Sequence, residues 1–124
     1  MAVNAADIYR KGQQQTASKE NIVTMLYDGA IRFCNIAEVA IDENNYEDAN
    51  TNIKKAQRII GELIAMLDKK YPVSEDFERV YNYIQELLIM ANVKKDKEFL
   101  GMAKEQIRGM RETWMEVLKQ AKGK

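Results

Sequence analysis

The segment that decides the fold is NIVTMLYDGAIRFCNIAEVAI, residues 21–41. Its apolar residues recur at steps of three and four, which is the period of an amphipathic helix. Before it, Ser18 offers a side-chain oxygen to the free amides of a first helical turn, and Asn45 breaks the pattern after it. The segment therefore predicts a first helix that is capped by Ser18 and spans Ile22 to about Ile41.

After this segment, the same period and three further capping residues predict three more helices. The second ends before Tyr71-Pro72, because the residue before a proline avoids helical angles. Short links indicate antiparallel neighbours. The predicted fold is all-α, an antiparallel four-helix bundle over residues 18–124 that follows a short, mobile N-terminal arm, residues 1–17. The further helices run from a cap at Asn45 to about Lys70, from a cap at Ser74 to about Val93, and from a cap at Asp96 to about Lys122.

Each predicted helix carries an apolar stripe that would close such a bundle. The first helix carries two adjacent apolar lines, and its apolar arc is wider than one core face needs. One line would suffice for a bundle: Ile22, Leu26, Gly29, Phe33, Ile36 and Ala40. The other is Val23, Tyr27, Ala30 or Ile31, Cys34, Ala37 and Ile41. The later stripes are Ala49, Ile53, Ala56, Ile60, Leu63 and Leu67; Phe77, Tyr81, Ile84, Leu88 and Ala91; and Leu100, Ala103, Ile107, Met110, Trp114 and Val117.

Three arrangements account for the surplus apolar surface. An amphipathic peptide laid in an apolar groove would cover it, and methionine-rich linings accommodate varied partners. Self-association would cover it equally well, and a broad but ordinary core would also use it. The pattern alone leaves all three open.

Charge and composition exclude several classes of function. Lys plus Arg equals Asp plus Glu at 19 each, so no global positive field attracts nucleic acid or anionic lipid. No stretch approaches the roughly 20 apolar residues of a membrane span, and the first residues lack the apolar run of a signal peptide. The only cysteine, Cys34, fits a reducing compartment. We expect a cytoplasmic protein with no nucleic-acid partner and no membrane insertion.

The residue types that carry catalysis are also missing. The chain has no histidine, which rules out Ser-His and Cys-His pairs and the Glu-x-x-His ligand spacing of di-iron bundles. No cation stands three or four residues from Cys34, so we expect a packed thiol. The interior glycines fall singly and form no phosphate-binding loop. The sequence predicts that the protein is not an enzyme and uses neither metal nor cofactor.

Five motifs in order give the chain a resemblance to a known family, the flagellin-specific export chaperones called FliS, from about Tyr9 to Trp114. Two positions depart from the family's pattern, Lys19 where it usually has proline and Val80 where it has leucine. Neither changes the chemistry of the proposed groove. The motifs are Tyr9 with Thr16-Ala17-Ser18; Met25-Leu26-Tyr27-Asp28-Gly29-Ala30-Ile31; Lys55-Ala56-Gln57 with Ile59-Ile60 and Glu62-Leu63; Val80-Tyr81-Asn82-Tyr83 with Ala91-Asn92 and Lys95-Asp96; and Arg111-Glu112-Thr113-Trp114.

The resemblance implies a cytoplasmic chaperone whose outer apolar grooves bind the C-terminal segment of flagellin, which is disordered when free. Binding would prevent premature polymerisation and keep flagellin competent for export. It further implies that the complex meets the flagellar export gate and that a regulator or co-chaperone is a possible further partner. Ile8 and Tyr9 of the arm would act as a displaceable lid over the groove. The competing class is a self-associating helical regulatory or structural protein without a flagellin client.

Motif position together with surplus apolarity selects the residues that we expect to face the client. Two lie in the arm and act as the lid, and the others lie on the first and second helices. The predicted flagellin-binding residues are Ile8, Tyr9, Met25, Tyr27, Asp28, Ile31, Lys55, Ile59 and Leu63.

Overall fold

The computed structural model describes residues 18–122, and side chains from Glu20 to Ala121. This part of the chain folds into four α-helices and no strand, which confirms the all-α prediction. The arm, including Ile8 and Tyr9, and the side chain of the predicted cap Ser18 lie outside the described residues. The helices are α1 (Ser18–Asp42), α2 (Tyr46–Ala65), α3 (Val73–Lys94) and α4 (Lys97–Lys122).

Two of the predicted helix caps are present. The side chain of Asn45 accepts a hydrogen bond from the backbone N–H of Asp48 at 3.2 Å. Asp96 Oδ1 accepts one from the N–H of Glu98 at 2.9 Å at the start of α4. Each cap satisfies a backbone amide that has no partner within its helix. The predicted caps of these two helices are therefore confirmed.

The link between α2 and α3 differs from the prediction. α2 ends at Ala65 rather than near Lys70. The N–H of Leu67 donates to the carbonyl of Ile64, three residues earlier, at 3.1 Å, whereas an α-helix bonds to the carbonyl four residues earlier. Leu67 still packs on the core, which explains why the apolar period continued past the helix end. Ser74 is not a cap: α3 begins at Val73 after Pro72, and Ser74 lies buried in its first turn.

The four helices are antiparallel and form a closed ring, in which α1 packs on α2 and α4, and α3 packs on α2 and α4. Along neighbouring helices, contact partners run in opposite directions. The partners are Gly29 with Ile59 and Phe33 with Lys55 between α1 and α2; Asn50 with Asn92 and Gln57 with Gln85 between α2 and α3; and Asp28 with Arg111 and Glu38 with Lys104 between α1 and α4.

The core confirms most of the predicted stripes of α2, α3 and α4. Exceptions lie at the stripe ends, where Leu67, Phe77 and Trp114 are half-buried and Val117 is exposed. Leu87, which lies outside the predicted stripe of α3, is buried as well. The buried residues of the predicted stripes are Ala49, Ile53, Ala56, Ile60 and Leu63; Tyr81, Ile84, Leu88 and Ala91; and Leu100, Ala103, Ile107 and Met110.

On α1, the line that would suffice for a bundle is not the buried one. The adjacent line fills the core, with Val23, Tyr27, Ala30, Cys34 and Ala37 all buried. Except for Ala40, which is buried, the members of the expected line are only half-buried. α1 therefore presents a row of half-buried residues beside the core, all of them apolar or small: Ile22, Leu26, Gly29, Phe33 and Ile36.

None of the helices between residues 18 and 122 is both long and apolar enough to cross a membrane.

Candidate functional site

The seam between α1 and α4 is closed by ion pairs. Lys104, which also donates to Asn35 at 2.9 Å, pairs with Glu38 where both side chains are largely buried. Lys97, the first residue of α4, donates a hydrogen bond to Asp42. This hydrogen bond raises the pKa of the Lys97 side chain. These pairs cover the polar side of α1. They are Asp28–Arg111 at 2.6 Å, Glu38–Lys104 at 2.7 Å and Asp42–Lys97 at 2.6 Å.

The seam between α1 and α2 is different, because no ion pair crosses it within the described part of the chain. Gly29 allows the two helices to approach, and a Cβ added there would lie 3.2 Å from Ile59 Cδ1. Residues spaced by three and four share a helix face, so the half-buried row of α1 lies along this seam. We call this surface the α1–α2 groove: Ile22, Leu26, Gly29, Phe33 and Ile36 on α1, Lys55 and Ile59 on α2, and Met66 directly after α2.

Phe33 occupies the middle of the α1–α2 groove, and two cations lie near its ring. The Arg32 Cζ and the Lys55 Nζ each lie 5.4 Å from the centroid of the ring. Both cations are exposed, while Phe33 is half-buried. Met25, 69% exposed, lies four residues before Gly29 at the rim of the groove.

One end of the bundle holds a cavity of about 350 Å³, which we call the end pocket. It lies where α1 begins, α2 ends, α3 begins and α4 ends. Met66, the C-cap of α2, lies seven residues after Ile59 and on the same face. It also lines the end pocket, so the pocket continues the α1–α2 groove. The lining is mostly apolar: Val23, Tyr27, Leu63, Met66, Leu67, Asp68, Tyr71, Val73, Ser74, Phe77, Tyr81, Trp114 and Val117.

Three buried residues of this apolar lining carry a hydroxyl group. The hydroxyls of Tyr27 and Tyr81 hydrogen-bond to each other, and burial raises the pKa of both phenols. Ser74 is 3% exposed, and its Oγ has no hydrogen-bond partner among the described residues. A buried unpaired hydroxyl is uncommon in native proteins, and an occupant of the end pocket that carries a polar atom would satisfy it.

Trp114 closes the end pocket against α1. Its Nε1–H donates to Thr24 Oγ1 at 3.2 Å, and the Thr24 hydroxyl donates to the carbonyl of Glu20 at 3.0 Å. Trp114 is the only tryptophan of the chain. Its emission therefore reports on the end pocket.

Cys34 is a packed thiol, as the sequence predicted. It is buried in the core, and desolvation, aided by the nearby Glu38 carboxylate, raises the pKa of the thiol to about 12. A thiol with so high a pKa carries almost no thiolate at neutral pH and is a poor nucleophile.

Comparison with known proteins decides the family. The family model described as "Flagellar protein FliS" matches residues 1–121. The chain belongs to the FliS family. Among its relatives, the flagellar secretion chaperone FliS of Bacillus subtilis (strain 168) is 30% identical over 115 residues, covering 93% of this chain and 86% of the relative.

Two further relatives carry the same description, flagellar secretion chaperone FliS. The one from Campylobacter jejuni (serotype O:6) is 30% identical over 115 residues, covering 91% of this chain and 90% of the relative. The one from Escherichia coli (strain K12) is 27% identical over 106 residues, covering 83% and 78%. FliS is thus a family of chaperones and not of enzymes, in agreement with the expectation from the missing histidine.

The residues predicted from the FliS resemblance do not form a single surface. Ile8 and Tyr9 lie outside the described residues. Lys55 and Ile59 lie in the α1–α2 groove, with Met25 at its rim. Tyr27 and Leu63 are buried and can be reached only through the end pocket that they line.

The remaining two predicted residues lie on the other side of α1. Asp28 pairs with Arg111 of α4. Ile31, three residues after Asp28 and four before Asn35, shares their face towards α4. Neither residue borders the α1–α2 groove.

Sequence reasoning missed several residues of the groove and the end pocket. The pattern places Leu26 and Phe33 in a line that would suffice for the core, and Trp114 in the core stripe of α4. It predicts that Ser74 is a helix cap. The cue that the period supplies for the groove is that α1 has two apolar lines, whereas a bundle needs one.

Proposed function

We propose that this FliS-family protein is a flagellar export chaperone that binds the C-terminal segment of flagellin in the bacterial cytoplasm. The segment, disordered when free, forms an amphipathic helix that lies in the α1–α2 groove. One apolar side chain of this bound helix, its anchor, enters the end pocket. Covering that segment prevents flagellin subunits from polymerising before export.

The observation that carries the proposal is the difference between the two seams of α1. One seam is sealed by three ion pairs, and the other exposes a row of apolar side chains that ends in an open apolar cavity. Recognition of an amphipathic helix by a groove uses such a row of apolar contacts at steps of three and four. The names of the relatives, flagellar secretion chaperones, identify the class of client.

The energetics suit reversible binding. Folding a disordered segment on binding consumes about 2–5 kcal/mol of the gross interaction energy. Burying one partly exposed Ile, Leu or Phe side chain against the client contributes on the order of 1 kcal/mol to the free energy of binding. Several such side chains along the groove, together with an anchor in the end pocket, offset the ordering and leave a client that can be released at export.

The arm can reach the same site, so we propose that Ile8 and Tyr9 act as its lid. Ser18 and Val23, which lines the end pocket, are five residues apart, about 8 Å along a helix. The nine residues from Tyr9 to Ser18 span at most about 32 Å. Ile8 and Tyr9 would occupy the groove and the end pocket when no client is bound, and the client would displace them.

Two further partners belong to the proposal. The client-bound complex is the form that meets the flagellar export gate. A regulator or co-chaperone would bind the surfaces that the client leaves uncovered, such as the exposed Val93 of α3.

The test is calorimetric titration with the C-terminal peptide of flagellin from the same organism, at several temperatures, together with light scattering of the protein alone. We expect saturable binding near one to one with a negative heat-capacity change, the signature of burying apolar surface on coupled folding. A stable dimer that does not bind the peptide would refute the proposal and favour a self-associating helical protein.

A further inference from the structure

The middle of the α1–α2 groove is cationic. Arg32 and Lys55 both lie beside the ring of Phe33, and no described carboxylate lies within 4.0 Å of either cation. Lys54 and Arg58, one residue before and three residues after Lys55, are also exposed and make no ion pair with a described residue. Unpartnered cations in an apolar groove indicate a partner that supplies the negative charge.

The carboxylates of α1 and α2 are placed elsewhere. Asp28, Glu38 and Asp42 point to α4 and are paired there. Glu20 lies 13 residues before Phe33 on α1, and Glu47 lies eight residues before Lys55 on α2. The carboxylates of α2 nearest to Lys55 along the chain, Asp48 and Glu62, lie seven residues before and after it, about 10 Å along the axis in each direction. That distance is close to the screening length at physiological ionic strength, so the potential at Phe33 is set chiefly by the cations around it.

We propose that Arg32 and Lys55 form a cationic clamp that binds a side-chain carboxylate of the client helix above Phe33. This inference rests on the proposed function and gives the client a second requirement besides apolar residues. The Arg32 guanidinium has the planar fork that holds a carboxylate with two hydrogen bonds, and Lys55 adds a point charge from the opposite wall.

The carboxylate belongs to a side chain because the α1–α2 groove continues past Phe33 in both directions, to Ile36 and to Gly29. A bound helix therefore crosses the clamp and does not end there. Phe33 and Val23 are ten residues apart on α1, about 15 Å or nearly three turns. The client's acidic residue accordingly lies two to three turns from the apolar residue that enters the end pocket.

The test compares affinities for the C-terminal flagellin peptide at low and high salt. We expect the double variant Arg32→Gln/Lys55→Gln to bind about tenfold more weakly at 50 mM salt, with a smaller difference at 500 mM. The matched control Arg108→Gln/Lys119→Gln removes the same charge from exposed positions on α4. It should change the affinity by less than about twofold.

Peptide variants identify the source of the carboxylate. Replacing the clamped Asp or Glu of the peptide by its amide should weaken binding to the wild-type protein and leave binding to the double variant unchanged. Amidating the peptide's C-terminus should have no such effect.

If the double variant binds as tightly as the control at both salt concentrations, or if only C-terminal amidation weakens binding, the clamp is refuted while the proposed function stands. If the wild-type protein does not bind the peptide at all, both are refuted.

Discussion

The hydroxyl pair of Tyr27 and Tyr81 gives a stability prediction whose size follows from the structure. The two side chains are 1% and 2% exposed, and each hydroxyl is the other's hydrogen-bond partner. Replacing either residue by phenylalanine removes one hydroxyl and leaves the other buried without a partner, which costs about 1–3 kcal/mol. Replacing both removes the polar pair and preserves the ring packing. The unfolding free energy of the double variant should therefore lie within about 0.5 kcal/mol of the wild-type value.

Urea denaturation at pH 7 measures these changes. With a urea dependence of about 1.5 kcal/mol per molar, a loss of about 2 kcal/mol lowers the unfolding midpoint by more than about 1 M for each single variant. The double variant should return close to the wild-type midpoint. The coupling energy of the cycle is then about 4 kcal/mol if each single variant loses about 2 kcal/mol.

The control is Tyr83→Phe, because Tyr83 is exposed on α3. It should change the midpoint by no more than the error of the measurement. Single variants as stable as this control, or a double variant that loses the sum of the two single losses, would refute the reasoning that the two hydroxyls depend on each other.

Three further measurements test the rest of the core and its seams. Because burial raises the pKa of the Cys34 thiol to about 12, the thiol stabilises the fold fully below pH 9 and progressively less above it. Between pH 8 and 10 the wild type should therefore lose on the order of 1 kcal/mol more of its unfolding free energy than Cys34→Ala. Gly109→Ala, at an exposed helical position with nothing within 4 Å of the added Cβ, should raise the thermal midpoint by stabilising the protein by about 0.5–1 kcal/mol; an unchanged midpoint would contradict this. Lys104→Met leaves the largely buried Glu38 unpaired and should cost about 1–3 kcal/mol in urea denaturation, whereas Arg111→Gln at the more exposed pair should cost less than about 1 kcal/mol.

The sequence was sufficient to predict the bundle because its local signals agree. Asn45 and Asp96 cap the helices that they were expected to cap, and the apolar stripes of α2 to α4 are largely buried. The end of α2 was misplaced because Leu67 continues the apolar period and packs on the core without helical backbone. Periodicity reports which side chains face the core and does not report where the backbone leaves the helix.

The candidate site was harder to predict because both lines of α1 are apolar. Periodicity cannot rank two apolar lines, and the buried one contains the small residues Ala30, Cys34 and Ala37, while the bulkier Phe33 and Ile36 lie on the outer one. Side-chain volume was the available cue, since closely packed helices favour small residues between them. The end pocket could not be predicted, because it is assembled from the ends of four helices.

Binding of the flagellin segment in the α1–α2 groove is tested most directly by one comparison of two variants. Met25 and Val93 are both well exposed, at 69% and 74%, but Met25 lies at the rim of the groove and Val93 on α3. Replacing each by glutamate should leave the fold intact. Binding of the C-terminal flagellin peptide, followed by the emission of Trp114, should weaken at least about tenfold in Met25→Glu and remain unchanged in Val93→Glu. Equal affinity of the two variants, or a loss confined to Val93→Glu, would contradict the account.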